Sequence, residues 1–155
     1  MLGTRPFPNV IGSRRSGGAP STLYFHETED TDWDFGGNWF ADAAGLIPWN
    51  AVPTAAQHAI IQNGTCDADG NCASLVVAST GTLSFNQGTV TNNDGTVDTN
   101  NGTVTTNNGT VDTNNGTITD HNSGATVTTN YGTIVNANNG SIVTTNNGTI
   151  TNDNR

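Results

Sequence analysis

From Gly88 to the end of the chain one short unit returns again and again. Glycines fall at 88, 95, 102, 109 and 116 with a period of seven, then at 124, 132, 140 and 148 with a period of eight. The aliphatic residues keep nearly the same step: Val90, Val97, Val104, Val111, Ile118, Val127, Ile134, Ile142 and Ile150. Each unit reads Gly-Thr-Val/Ile-x-x-Asn-Asn. Sparse aliphatics alone would suggest disorder, but a fixed period is the mark of a repeat architecture.

A period of seven also suits a coiled coil, which fails here on two counts. A coiled-coil seam needs two apolar positions per heptad and this unit has one. Thr, Asn and Gly are also poor helix formers. The units are therefore read as β. In Thr-Val-Thr the alternation sends Val to one face and both Thr to the other. Asn-Gly favours hairpins, but a single meander would have nothing to bury its Val stripe against. Stacked solenoid coils solve that problem: Val and Ile form an inner column, Asn stacks in corner ladders, and Gly is expected to supply positive-φ positions. A coil could hold two units or three. Two would stack Asp98 over Asp112 in one ladder, which favours three units and a triangular cross-section. The nine aliphatics above are the expected β-helix core.

Composition divides the chain into three parts. Residues 1–22, rich in Gly, Pro, Ser and Arg, read as an extended arm. Residues 23–86 hold Trp33, Trp39, Trp49, Cys66 and Cys72 and read as a small Trp-containing β cap domain, with strands at 58–64, 74–80 and 81–85. Pro48 and Pro53 keep the stretch between Asp42 and Gln57 out of long helices. Residues 87–155 are the Thr/Asn/Gly β-helix. One aliphatic per unit is a thin core, so a homotrimer that winds or packs three chains together is expected. The fold class is all-β: a β-helix of seven- to eight-residue units, triangular or an intertwined trimer, behind the cap and arm.

Charge and motifs bound the function. Four basic residues stand against thirteen carboxylates, for a net charge of −9, which argues against a nucleic-acid partner. No apolar run suits a signal peptide or a membrane span, so the expectation is synthesis in a host cytoplasm and no membrane contact. His26, His58 and His121 are far apart, and no converging titratable set suggests an enzyme or a cofactor. The Asp67-Ala68-Asp69-Gly70 stretch has some look of a calcium loop, making Asp67 and Asp69 weak metal candidates, but it lacks the later bidentate Glu. The acids Glu27, Glu29, Asp30, Asp32 and Asp34 read as a solvated loop or a partner for a basic arm. Outward Thr could form a flat face such as ice-binding solenoids carry. Asp98, Asp112, Val135, Ser141 and Val143 would interrupt it, which counts against that reading.

Residues 36–90 carry Asn38-Trp39, Val52-Pro53-Thr54, Ala59–Ile61 and Leu75–Phe85. With the Asn-Asn-Gly-Thr-Val array that follows, they resemble right-handed β-helix proteins of viral fibres, spikes and other virion surface components. Cell-surface adhesins share these motifs. The resemblance implies a non-enzymatic structural protein at the virion surface of a tailed phage, a capsid decoration or short fibre. Its expected partners are capsid or tail proteins, held through residues 1–22 with Arg5, Phe7, Arg14 and Arg15 as anchoring residues, and weakly host glycans. The alternative is an extracellular binding module, either an adhesin or an ice-binding solenoid.

Overall fold

The computed structural model describes residues 18–155 other than 29, 68 and 71; Arg5, Phe7, Arg14, Arg15 and Glu29 lie outside the described residues. The chain forms a parallel β-solenoid. Its strands are β1 (Thr22–His26), β2 (Trp39–Phe40), β3 (His58–Cys66), β4 (Ser74–Val77), β5 (Gly81–Asn86), β6 (Thr89–Asn93) and β7 (Thr96–Asn100). They continue as β8 (Thr103–Asn107), β9 (Thr110–Asn114), β10 (Thr117–His121), β11 (Thr126–Asn130), β12 (Thr133–Ala137), β13 (Ile142–Asn146) and β14 (Thr149–Asp153). Even-numbered strands from β4 onward stack on one another and make face A. Odd-numbered strands from β5 make face B, and the long β3 starts both faces.

Each coil therefore holds two units. Val97 lies opposite Val111 and Thr103 opposite Thr117, so the early coils advance by 14 residues. The later ones advance by 16. The triangular cross-section is thus replaced by a flat two-sided one. Each unit turns two residues inward, its aliphatic and the residue three further on, most often Asn, and both are buried from β6 to β12. Two facing units then fill the interior. Val90, Val97, Val104, Val111, Ile118, Val127 and Ile134 are all fully buried within one chain. A single chain buries its own core, which removes the physical need for the homotrimer that a thin apolar stripe suggests.

The glycine period of eight conceals an alternation of nine and seven in the core positions. Val127 pairs in register with Val143, while Ile142 pairs with Thr126 and is 52% exposed. Ile142 is therefore not a core residue, and Val143 takes that place at the edge of the cluster with Ile150. The extra residues widen two turns, where Gly124 and Gly140 take φ of +82° and +84°. Ala125 and Ser141 then fill the places that glycine holds in the tighter turns.

Those tighter-turn glycines act through space, not through positive φ. A Cβ on Gly102, Gly109, Gly116, Gly132 or Gly148 would overlap the carbonyl oxygen of the glycine one coil below. Only a residue without a side chain lets the turns stack at the ~4.8 Å spacing of adjacent strands.

The lower end is sealed by the cap. Trp39 stacks edge-on against Phe25 and Trp33, at 5.4 and 4.7 Å between ring centroids, and its Nε1 donates to the Trp33 carbonyl. Asn38, fully buried, donates to the carbonyls of Asp30 and Asp32 and accepts from Thr28. β1 lies beside β3, and one apolar cluster runs from Leu23 to Ala137.

The buried Asn column should carry more stability than the corner one. Asn100→Ala takes the ladder acceptor from Asn86, whose amide keeps only the Thr103 carbonyl, and the donor from Asn114 Oδ1 in a dry interior, and should cost about 2–4 kcal/mol. Asn115→Ala at the exposed corner should cost less than about 1 kcal/mol. Urea unfolding of the two variants measures the difference; equal losses would mean the inner ladder is not what holds the coils in register.

Candidate functional site

Parallel stacking converts each position of the unit into a column, so every chemical group is displayed in a row. Inside, Asn86, Asn100, Asn114, Asn130 and Asn146 form one ladder, each Nδ2 donating to the Oδ1 of the next coil. Asn93 and Asn107 form the other, which ends on His121. Outside, Asn122 and Asn138 donate in the opposite sense, toward the preceding coil, as do Asn108 and Asn115. The ladders are fully satisfied except at their start. Asn86 Oδ1 and Asn93 Oδ1 are buried and without partners among the described residues. Beneath Asn93 lies Val77, which has nothing to donate.

Among the described residues, His121 is the one histidine buried inside the stack. Its Nδ1 faces Asn107 Nδ2 at 3.1 Å and its Nε2 faces the Ile142 carbonyl at 3.1 Å. An amide donor on one side and a carbonyl on the other select the neutral ring with its proton on Nε2. Burial is the main cause that pushes its pKa below the ordinary 6.5; the Ile142 carbonyl opposes this and the Arg155 charge adds to it. His121 thus holds the inner position that Asn107 holds one coil below.

The two faces differ in their outer columns. On face A, from β6 onward, the first column is Thr89, Thr103, Thr117, Thr133 and Thr149. Two residues on, the second is Thr91, Thr105, Thr119, Val135 and Thr151. Val135, the one departure, has the shape of Thr. A flanking column contains Asp120, whose Oδ1 accepts from Asn136, which accepts in turn from Asn152. On face B the corresponding columns hold Thr82, Thr96, Thr110, Thr126 and Ile142, then Ser84, Asp98, Asp112, Thr128 and Thr144. Asp98 and Asp112, Ile142 and Val143 therefore all belong to strands of face B. Ser141 sits buried in a turn. Of the interruptions that the sequence sets against a continuous Thr array, Val135 alone falls in face A.

Asp98 and Asp112 do stand in one ladder. Partial burial first, and then the Asp112 charge, push the Asp98 carboxyl up; a hydrogen bond from Ser84 works against them. Thr128 Oγ1 approaches Asp112 from the other side at 3.4 Å. The hydroxyls above and below share the negative charge along the column.

The carboxylates with a resemblance to a calcium loop are used otherwise. Asp67 Oδ1 accepts from the Trp33 amide at 3.1 Å, tying the cap to β3. Asp69 accepts from the amides of Gln87 and Gly88, both at 2.8 Å, and so closes the foot of the stack. Among the described residues no group of three His, Cys, Asp or Glu side chains could hold a metal ion. Asp30 and Asp32 cap local turns, and Glu27 accepts from the Thr65 amide. Beside Asp69 is an open cleft of about 300 Å³ lined in part by Cys72, Ser74 and Thr89. Burial, and secondarily the Asp69 charge, raise the Cys72 thiol pKa, which leaves it a poor nucleophile. His58 Nδ1 lies 2.7 Å from Ser74 Oγ, an exposed contact with no carboxylate among its hydrogen-bond partners.

The His121 geometry makes stability depend on acidity. Its folded pKa is depressed, so above about 6.5 the ring is neutral in both states and contributes no pH dependence. As pH falls below that value the unfolded chain takes up the proton first, and folding stability should drop. Thermal melts between pH 7 and 5 should show this slope, and His121→Asn, which keeps an acceptor for Asn107, should flatten it. No family model matches this chain, and neither does any characterised protein sequence or solved structure.

Proposed function

We propose that the protein is a non-enzymatic structural component of a virion surface, a capsid decoration or short fibre of a tailed phage. The observation that carries this reading is the polarity of the stack. The chain enters beside β1 at the Trp-sealed pole, and every later coil carries it further from that pole. Residues 1–22 then anchor the stack through Arg5, Phe7, Arg14 and Arg15, and the coils project outward. The projecting faces are hydroxyls and amides, well hydrated and closed to proteases by parallel pairing. Pro20 and Ser21 are bonded to Gln57 and His58, so a clean test removes only residues 1–17. The full chain should co-sediment with particles from cells that produce it, and the truncated chain should stay in the supernatant. Equal sedimentation overturns the arm as anchor; absence of the full chain from particles overturns the virion assignment.

A second reading, an ice-binding solenoid, is favoured by one specific observation: from β6 onward the two outer Thr columns of face A carry no charge, whereas the matching columns of face B carry Asp98 and Asp112. The two face A columns present hydroxyl and methyl groups at ~4.8 Å between coils and about 6.6 Å along each strand. This two-dimensional grid lies close to the repeat of oxygen atoms on ice planes, and rigid Thr side chains hold it in order before contact. On this reading the intact chain gives thermal hysteresis. Thr105→Tyr, in the middle of face A, should abolish most of it, while Thr128→Tyr on face B should not. A native chain without hysteresis ends this alternative.

A further inference from the structure

Asn-Gly pairs are the places where a polypeptide can damage itself. The glycine amide nitrogen attacks the asparagine Cγ, a five-membered succinimide forms, and ammonia leaves with the side-chain nitrogen. Water then opens the ring to aspartate or isoaspartate, so the net change is amide plus water to carboxyl plus ammonia, with no redox partner. Reaction needs the nitrogen and the Cγ to reach attack geometry, which a fixed environment forbids. Glycine offers no Cβ to obstruct the approach.

The ladders give most such pairs that fixed environment. Asn101, Asn108 and Asn115 each have the side chain held in a corner ladder. Their following glycines, Gly102, Gly109 and Gly116, donate to the carbonyls of Asn86, Asn93 and Asn100 at 3.0–3.2 Å. Both reacting groups are therefore occupied. Asn63–Gly64 lies inside β3, where Asn63 pairs with His26 on one side and Gly64 with Gly81 on the other. Asn147–Gly148 is partly held, with the glycine amide donating to Asn146 Oδ1 at 3.3 Å.

Asn139–Gly140 differs from all of these. It sits in one of the two widened turns, and both residues are exposed. Among the described residues no hydrogen bond reaches the Asn139 side chain or the Gly140 amide; the ladder passes through Asn138 instead. Gly140 holds φ of +84°, as Gly64 holds +80°, a conformation that favours glycine.

We propose that Asn139 is the site of spontaneous deamidation in this protein, and that the Asn ladders protect Asn101, Asn108 and Asn115 from it. Each event places a carboxylate at the turn between β12 and β13, and isoaspartate lengthens the backbone there by one carbon. The widened turn is thus where chemical ageing of the stack begins. The proposal is independent of the virion and ice readings.

The test is peptide mapping by mass spectrometry of the full native chain, held in mildly alkaline buffer and sampled over time. A parallel sample is kept unfolded in urea. In the native sample the Asn139 peptide should gain one mass unit at least about ten-fold sooner than the peptides with Asn101, Asn108 and Asn115, because those sites must first open locally. In urea the rates should converge. Asn139→Gln should remove the early product from the native sample. Equal native rates would overturn the proposal, and so would a rate order in urea that matches the native one, since sequence alone would then explain it.

Discussion

A buried asparagine is tolerable only if something meets both ends of its amide, and in this stack the asparagine of the next coil does so. Asn100 accepts from Asn86 and donates to Asn114, and its amide also reaches the Thr117 carbonyl at 3.4 Å. That requirement fixes the register between coils more tightly than the aliphatic column can. Val packs against Val with a slip of an ångström at little cost, whereas an unpaired amide in the interior costs about 1–3 kcal/mol. The ladder also sets where the regular stack can begin. Below Asn93 the inner position belongs to Val77, and the coils there are ordered by apolar packing and by the carboxylate of Asp69.

The opposite sense of the inner and corner ladders has a simple consequence. Amide dipoles inside point one way along the axis and those at the corners the other, so no large dipole accumulates along the stack. His121 fits this scheme because a neutral imidazole carries an acceptor and a donor on opposite sides, as an amide does. It passes the ladder from Asn107 to the backbone of Ile142 where Ala137 provides no amide above it.

The unit itself is readable from the sequence, since one inward aliphatic, outward Thr and an Asn-Asn-Gly turn admit few other solutions. The strands at 58–66, 74–77 and 81–86 follow from the same alternation. Coil size is harder to read because it depends on a balance between two unlike costs. The repulsion of Asp98 and Asp112 argues for three units, yet it acts between partly exposed groups with hydroxyls on either side, where a like-charged pair costs only a few tenths of a kcal/mol. Filling the interior with two Val and two Asn per coil outweighs it. The misplacement of Ile142 has a different origin. Counting from glycine puts it in register with Ile134, while counting back from Thr-Thr-Asn selects Val143, as the structure does. Glycine marks two different things here, close approach in the tight turns and positive φ in the wide ones, so its spacing is an unreliable ruler.

Function is less readable than fold because the repeat encodes geometry twice over and chemistry only through the residues allowed to vary. The inward positions and the tight-turn glycines are constrained by packing. What remains free are the outer columns, and there the two-unit coil sorts odd from even units onto opposite faces. Along face B, acids and Ile142 enter the columns at three of five levels. Along face A from β6 onward, the same two columns stay Thr at all but one level, and that exception is the Thr-shaped Val135. Nothing in coil packing requires this difference, since both faces bury the same kind of residue and stack at the same spacing. On the ice-binding reading proposed above, face A is therefore the surface on which contact with an ordered lattice should be sought.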